Sequence, residues 1–178
     1  MATGRGNYLT KQTGEYLVAA ELSRRGYIAT TFTGNVPEYD IVAVDEAGGH
    51  ALVQVKTITT DNLQISNVQH FADIVFHGHR QVVRAARPSP YPALFFVLVR
   101  LAPPAGGQRD RFFILPWKDL ALAFTDHHRE FLDGCGGIRP KNWKSLHAAL
   151  DLSKLSQYEG AWDALKERVM PVAQGDEG

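Results

Sequence analysis

The sequence predicts a fold of the α/β class, and three features of the chain lead to that prediction. A helical pattern of apolar residues occupies about Thr10 to Arg25. Two β-rich runs joined by a glycine-containing turn follow between Tyr39 and Thr57. A nearly continuous apolar run from Ala93 to Leu101 then has the length of a strand that is buried on both faces. Helical and strand patterns therefore occur along one chain, as in α/β proteins.

The first predicted element is the helix that contains Glu15. Three apolar residues follow Glu15 at helical spacing and form one stripe with it: Val18, Ala19 and Leu22. Gly26 supplies the residue that commonly follows a helix end. A glutamate in a stripe that faces the core needs a partner for its charge. Glu15 also suits the amino end of a helix, where the macrodipole favours an acid, and the sequence supports both interpretations equally.

The next predicted elements are two adjacent antiparallel strands, Tyr39 to Val44 and Ala51 to Thr57, joined by turn residues 45–49. Side chains alternate along a strand, so Gln54 and Lys56 share one face, while the residues between and beside them enter an apolar layer. An amide and an ammonium buried there are costly unless an acid or an ion compensates them. Asp40, at the mouth of the neighbouring strand, is the expected acid.

These residues resemble the motifs of the PD-(D/E)XK nuclease superfamily, the restriction endonuclease-like proteins, over residues 14 to about 57. Glu15 matches the acid on the first helix, Asp40 matches the acid that begins the second strand, and Gln54-Val55-Lys56 matches the (D/E)XK tripeptide. Two departures are visible. Glu38 and Tyr39 separate the proline from the aspartate, and glutamine replaces the tripeptide acid, as in small bacterial nuclease-like proteins with a QXK variant of the motif.

The resemblance implies a fold, a reaction and a site. The fold is a restriction endonuclease-like core, a mixed central sheet flanked by helices in the order αβββαβ. The reaction is metal-dependent hydrolysis of DNA phosphodiester bonds. Mg²⁺ (or Mn²⁺), which prefers oxygen ligands, would be held by Asp40, Gln54 and Glu15, and Lys56 would orient the attacking water. Because glutamine lacks the charge of the usual acid, we expect weaker metal affinity than in a site with every acid present.

Two other functional interpretations fit the same residues. A nuclease-like fold that has lost cleavage would serve as a DNA-binding or protein-partner-binding module, for which Gln54 is an argument. Alternatively, the strand is an exposed sheet edge of a structural protein. Lys56 would then guard the edge against aggregation, and Asp40 would only end a turn.

Composition constrains the class of protein. The 178 residues are 44% hydrophobic, enough for a substantial core, so we expect one nuclease-like domain over residues 1–170 and a disordered tail over residues 171–178. Nineteen basic and nineteen acidic residues give a net charge of zero. The chain therefore lacks the overall positive field that many nucleic-acid-binding proteins use, which argues mildly against tight nonspecific DNA binding.

The sequence also predicts a compartment. Cys135 is the single cysteine, so an internal disulfide is excluded, and the amino terminus has no apolar signal-peptide core. No apolar stretch approaches the roughly 20 residues that span a bilayer. A cytoplasmic protein without a membrane segment is expected.

Further elements are predicted after the tripeptide. Leu63 to Ile65 extends the sheet, and Val68 to Ala86 forms a helix interrupted by Gly78. Ala93 to Leu101 and Arg111 to Leu115 form a second hairpin. A helix then begins near Pro116 and continues to about His127.

Two groups of basic residues are candidates for DNA contact. The loop from Gly134 to Lys144 contains the four residues that we assign to nucleic-acid binding, namely Arg139, Lys141, Trp143 and Lys144. Trp143 would stack on a base or anchor the loop to the core, and the sequence supports both equally. Arg80, Arg84 and Arg87 would share one side of the predicted helix, where a solvated surface is the favoured interpretation.

The remaining patterns favour structural roles. The histidines and the cysteine that suggest zinc fit no paired-ligand spacing, so solvated or core histidines are favoured: His77, His79, His127, His128 and Cys135. Leu155, Tyr158, Trp162 and Leu165 recur at helical spacing, around a break at Gly160, which indicates packing or a dimer contact. A homodimer is expected if both strands of a duplex are cut, because two cuts need two sites.

Overall fold

The computed structural model describes residues 4–32, 38–91 and 93–166. The predicted disordered tail, residues 171–178, lies outside them. The chain forms two compact units. The first contains residues up to Thr59, Tyr91–Leu115 and the residues from Tyr158 onward, and the second contains Thr60–Pro90 and Pro116–Gln157. The single domain over residues 1–170 that the sequence predicts stays a prediction.

The helices are α1 (Gly4–Arg24) and α2 (Trp117–Gly134), with short 3₁₀ helices at Val68–His70, Leu152–Tyr158 and Trp162–Leu165. The strands are β1 (Ile28–Thr31), β2 (Ile41–Val44), β3 (His50–Ile58), β4 (Asn62–Ile65), β5 (Ala72–His77), β6 (Arg80–Ala86), β7 (Leu94–Arg100), β8 (Arg111–Pro116) and β9 (Ala148–Asp151).

The first unit is built on a mixed five-stranded sheet of order β1-β2-β3-β7-β8. β1 and β3 each pair antiparallel with β2, whereas β7 pairs parallel with β3 in a register that aligns Val55 with Val97. The predicted hairpin of residues 39–57 is therefore confirmed. The two later apolar runs are confirmed as strands that are neighbours in the sheet. Every residue of β7 except Arg100 is buried, as expected for a central strand.

Helix α1 covers one face of this sheet. Val18 and Leu22 are fully buried and belong to the same apolar cluster as Val53 and Val55 of β3. The helix begins at Gly4, earlier than the predicted start near Thr10.

The end of α1 is set by Gly26, as predicted. Gly26 has a φ of 88°, its N–H donates to the Ser23 carbonyl and the Tyr27 N–H donates to the Leu22 carbonyl, both at 3.1 Å. These two hydrogen bonds satisfy carbonyls that a helix end leaves open.

The second unit corrects two predictions. The helix predicted over Val68 to Ala86 is wrong, because β5 and β6 form an antiparallel hairpin there. Gly78, with a φ of 60°, takes the first position of the two-residue loop between His77 and Arg80, a conformation that suits a tight hairpin. The alternating apolar residues before Gly78 were the signal for a strand.

As a result, the arginines of this segment do not share one side of a helix. Arg80 and Arg84 lie on β6, and Arg87 lies beyond the end of that strand.

The prediction that Leu63 to Ile65 extends the central sheet is also wrong. These residues belong to β4, which pairs with β9 in a separate two-stranded sheet.

The remaining late elements agree with the sequence. Pro116 precedes α2, which continues past His127 to Gly134. Leu155, Trp162 and Leu165 are buried, so the packing interpretation of that apolar pattern is the one the structure supports. Gly160 separates the two 3₁₀ helices with a φ of 67°.

Candidate active site

The candidate site lies where β2 separates from β3. The pairing of β2 with β3 ends at Ile41 opposite Val53, but β3 continues to Ile58. Asp40 takes the place of a strand partner at this point. Its N–H donates to the Val53 carbonyl at 2.8 Å, and its Oδ2 accepts the Val55 N–H at 2.8 Å. The carboxylate is therefore fixed beside the middle residue of the tripeptide.

Helix α1 brings a second carboxylate and a cation to the same place. Lys11 Nζ lies 3.0 Å from Glu15 Oε1 and 3.2 Å from Asp40 Oδ1. The hydrogen bond with Glu15, and then the charge of Asp40, raise the pKa of Lys11 above its ordinary value, although burial opposes this. Two acids from distant parts of the chain thus share one ammonium.

Helix α1 approaches β3 closely at Gly14, the residue before Glu15. A Cβ on Gly14 would overlap Thr57 Oγ1 and would lie 3.0 Å from Thr57 Cβ, so glycine allows the helix to reach the strand here. Within the described residues, Thr57 Oγ1 is buried and has no hydrogen-bond partner. The next residue is Glu15, whose side chain is largely buried, with Oε1 inaccessible to solvent.

Gln54 and Lys56 lie on the other face of β3. They alternate with Val53 and Val55, which are buried under α1, while Gln54 is half-buried and Lys56 is exposed. The structure therefore brings Glu15 and Asp40 together and places Gln54 and Lys56 on either side of the Val55 N–H that holds Asp40. The meeting of all four side chains around one ion stays a prediction.

The segment that enters β2 is strained and packed by aromatic rings. Glu38 has a φ of 77°, in the left-handed region that non-glycine residues rarely adopt. The Tyr39 ring lies edge-on to Phe32 and Tyr91, at centroid distances of 5.6 and 5.9 Å. A hydrogen bond with Glu38 raises the pKa of the Tyr91 hydroxyl. Strain of this kind occurs at functional sites more often than elsewhere. Pro37 of the motif lies outside the described residues.

Sequence reasoning did not identify Lys11, Gly14 or Thr57. Lys11 could have been found, because it lies four positions before Glu15 and such pairs meet on a helix surface. The approach of Gly14 to Thr57 could not, because it depends on how α1 packs on β3.

In the second unit, the loop assigned to nucleic-acid binding packs against the β5–β6 hairpin. The Trp143 ring stacks on His79 at a centroid distance of 4.4 Å, and Lys144 Nζ lies 5.0 Å from the Trp143 ring. Arg139 lies over the Phe131 ring at 4.7 Å, and burial lowers the pKa of its guanidinium. The geometry favours Trp143 as an anchor of the loop. Lys141 and Lys144 are exposed, as a phosphate contact requires.

A buried polar group holds the same loop in place. Gln81 Nε2 donates to the carbonyls of Trp143 and Ser145, at 2.6 and 3.0 Å, and Gln81 Oε1 lies 3.0 Å from His128 Nε2. Because the two carbonyls only accept, Gln81 Oε1 must face the histidine, and His128 Nε2 must carry the proton. Burial first, and then the charges of Arg139 and His127, lower the pKa of His128 to about 4.

Two further findings concern the described residues as a whole. In residues 4–32, 38–91 and 93–166, no three His, Cys, Asp or Glu side chains cluster as a set of metal ligands. An ion held by Glu15 and Asp40 would therefore need amide or water oxygens as well. In the same ranges, no helix is both long and apolar enough to cross a membrane.

Comparison with known proteins found similarity in structure but no match to a family model or a curated protein. Among solved structures, the bacterial homing endonuclease I-Ssp6803I aligns with a TM-score of 0.50 and 16% identity, over 90% of this chain and 93% of that protein. Hjc, a Holliday junction resolvase from Archaeoglobus fulgidus, aligns with a TM-score of 0.40 and 14% identity, over 83% of this chain and 88% of the resolvase.

The likeness to the homing endonuclease confirms the predicted fold. The chain has the predicted restriction endonuclease-like fold, with a mixed central sheet and helices. It departs from the predicted αβββαβ order after β3, where β4 and the β5–β6 hairpin stand in place of the second helix.

Proposed function

We propose that the protein is a metal-dependent DNA endonuclease that hydrolyses phosphodiester bonds, with Glu15, Asp40, Gln54 and Lys56 as its catalytic residues. One observation carries the proposal. Asp40 is bound to the N–H of Val55 inside the tripeptide and shares the Lys11 ammonium with Glu15. Two acids that are 25 positions apart in the chain thus converge on a cation beside the tripeptide. The nuclease-like fold agrees with this chemistry.

The donor atoms suit Mg²⁺ or Mn²⁺. Glu15 and Asp40 would hold the ion with water, because hard ions of this kind prefer oxygen ligands. Gln54 alternates to the other face of β3, so its amide oxygen would reach the ion only from the edge of β3 that β2 leaves unpaired. The carboxylates already share a positive group, which supports the proposal of a cation at this position. When bound, the ion polarises a phosphate oxygen and makes a bound water more acidic.

Lys56 has a different role. Its side chain is exposed on β3, next to the residue whose N–H holds Asp40. From there the ammonium would orient the attacking water and offset the negative charge that develops on the phosphate. Lys56 binds no metal, because an ammonium has no acceptor atom.

DNA contacts outside this site are assigned to the loop of the second unit. The exposed ammonium groups of Lys141 and Lys144 would contact phosphates, and Arg139 and Trp143 would support them from the packed side of the loop. Replacing Lys141 or Lys144 by alanine should weaken binding to all DNA sequences. It should also reduce the slope of log affinity against log salt concentration by about 1, the share of one phosphate contact. Fluorescence anisotropy with labelled DNA at several salt concentrations, in EDTA, measures this. An unchanged salt dependence would remove the loop from the proposal.

The decisive experiment tests cleavage. Plasmid, linear and branched DNA are incubated with the protein in Mg²⁺ or Mn²⁺, beside an EDTA sample, a Lys56→Ala variant and a Lys118→Ala variant. Lys118 is an exposed lysine at the start of α2, so its removal is a matched control for loss of one charge. We expect cuts with the unmodified protein and with Lys118→Ala, and none with Lys56→Ala or EDTA.

A second candidate function is a nuclease-like fold that binds DNA or a protein partner without cutting. Two observations favour it, namely the uncharged Gln54 in the tripeptide and the Lys11 ammonium that already offsets the two acids. If every tested DNA remains intact with both the unmodified protein and Lys56→Ala, cleavage is rejected and this candidate replaces it.

A homodimer belongs to the endonuclease proposal only if both strands are cut. Sedimentation of the protein with a duplex substrate gives the mass of the complex, and therefore the number of protein chains in it. A monomer that produces double-strand breaks would overturn the dimer.

A further inference from the structure

We propose that Lys11 is an internal counter-cation, whose ammonium occupies the position of the divalent ion between Glu15 and Asp40 until the ion displaces it. This inference rests on the proposed metal dependence. It assigns a role to a residue outside the sequence motif and makes metal binding an exchange of one cation for another.

The first step is the geometry of the three groups. Lys11 Nζ lies within 3.2 Å of a carboxylate oxygen of both Glu15 and Asp40. Two carboxylates this close would repel each other without a positive charge between them. Lys11 therefore keeps the acids together in the protein without metal.

The second step is the difference in burial between the cation and the acids. The Lys11 side chain is 55% exposed, whereas the side chains of Glu15 and Asp40 are each 15% exposed. A lysine stem is flexible, so its head can turn into water at little cost. The ammonium is thus the removable member of the group.

The third step is the rigidity of the acids. Asp40 is fixed through Oδ2 by the Val55 N–H, which leaves Oδ1 toward Lys11. The Glu15 side chain is largely buried, with Oε1 inaccessible to solvent, which restricts its movement. When Lys11 leaves, both acids keep their places, and the vacated position has the negative charge that a divalent ion requires.

The test compares metal affinity in the absence of DNA. Mn²⁺ is titrated calorimetrically into the full chain, into Lys11→Met and Lys11→Gln, which remove the competing charge, and into Lys11→Arg, which keeps it. Lys118→Met is the matched control for a lost surface charge. We expect Lys11→Met and Lys11→Gln to bind Mn²⁺ roughly fivefold or more tightly than the unmodified protein, and the other two variants to show no gain.

Thermal unfolding gives a second readout that is independent of activity. In EDTA, Lys11→Met and Lys11→Gln should melt at a lower temperature than the unmodified protein, and saturating Mn²⁺ should remove the difference, because either cation offsets the acids. Lys118→Met should show neither effect.

The outcomes separate this inference from the proposed function. If the unmodified protein binds Mn²⁺ and removal of the Lys11 charge leaves affinity equal or weaker, the counter-cation role is overturned and the metal site remains. If neither the unmodified protein nor the Lys11 variants bind Mn²⁺ at millimolar concentration, the metal dependence and the role of Lys11 are both rejected. A variant that does not fold is replaced by the other neutral variant at the same position.

Discussion

The two units each contain a polar cluster, and the two clusters differ in charge and in access to water. In the first unit, Lys11, Glu15 and Asp40 are charged groups at the edge of the core, and Lys11 is largely exposed. In the second unit, Gln81 and His128 are at most 2% exposed, and His128 is neutral at pH 7 because its pKa is about 4.

The difference shows what a polar group in a protein core can do. Gln81 bonds two backbone carbonyls and His128 with both ends of its amide, so its polar atoms are used in holding a loop. In the first unit, two acids share a cation that can leave. We therefore infer that the neutral cluster mainly stabilises the fold, whereas the charged cluster mainly supports chemistry.

The largest expected effect is on the neutral cluster. Gln81→Leu keeps the volume but leaves two part-buried carbonyls and the buried His128 N–H without their partner, so we expect the free energy of unfolding to fall by about 3 kcal/mol. Urea titration measures it. Val82→Thr, on the neighbouring and more exposed position of β6, is the control and should change stability by less than about 0.5 kcal/mol. A Gln81→Leu protein as stable as the control would contradict the structural role.

The next effect separates activity from stability in the charged cluster. Asp40→Asn retains an oxygen for the Val55 N–H but removes the charge, so cleavage should fall by about 100-fold or more, while the free energy of unfolding changes by less than about 1 kcal/mol. Asp40→Ala should lose the activity and, in addition, about 1–2 kcal/mol of stability, because the Val55 N–H is left unpaired. DNA cleavage rates and urea titrations decide this. Full activity in Asp40→Asn would exclude Asp40 as a metal ligand.

A smaller effect concerns pH. The pKa of His128 is lowered to about 4 in the folded protein, below the ordinary value near 6.5, so the neutral form is favoured by folding. The corresponding stability is present above about pH 6.5 and is lost as pH falls toward 4, by roughly 2 kcal/mol between pH 7 and pH 5. Other groups titrate in this range, so the measurement is the difference between the unmodified protein and His128→Gln across pH. If the two stability curves remain parallel, His128 is not a buried neutral group.

The smallest effect concerns the helix that carries Glu15. Gly14→Ala would bring a methyl group against Thr57, and the strain, partly offset by the better helix propensity of alanine, should cost about 1 kcal/mol. The cost should shrink in a Thr57→Ala background, which removes Oγ1. Gly134→Ala is the matched control, because an added methyl there meets nothing within 4 Å. Equal changes in stability for the two glycines would show that α1 does not depend on close approach to β3.

Part of the site could be predicted from the sequence, because some of its residues interrupt apolar patterns within a single segment. Glu15 lies in the apolar stripe of a helix, and Gln54 and Lys56 interrupt an apolar strand. The error over Val68 to Ala86 has the opposite cause. That segment contains apolar residues at spacings that fit either a helix or a strand, and the pairing of β5 with β6 decides between them.

The sequence by itself determined α1 and the strands β2, β3, β7 and β8 of the central sheet, and it singled out the residues that we propose for the site. These follow from periodicity, turn residues and the cost of burying polar groups. The tertiary structure alone decided that Asp40 binds the Val55 N–H, that Lys11 stands between two acids and that Gln81 holds a distant loop. Contacts of this kind join residues far apart in the chain, and their free energy depends on distances that no local pattern encodes.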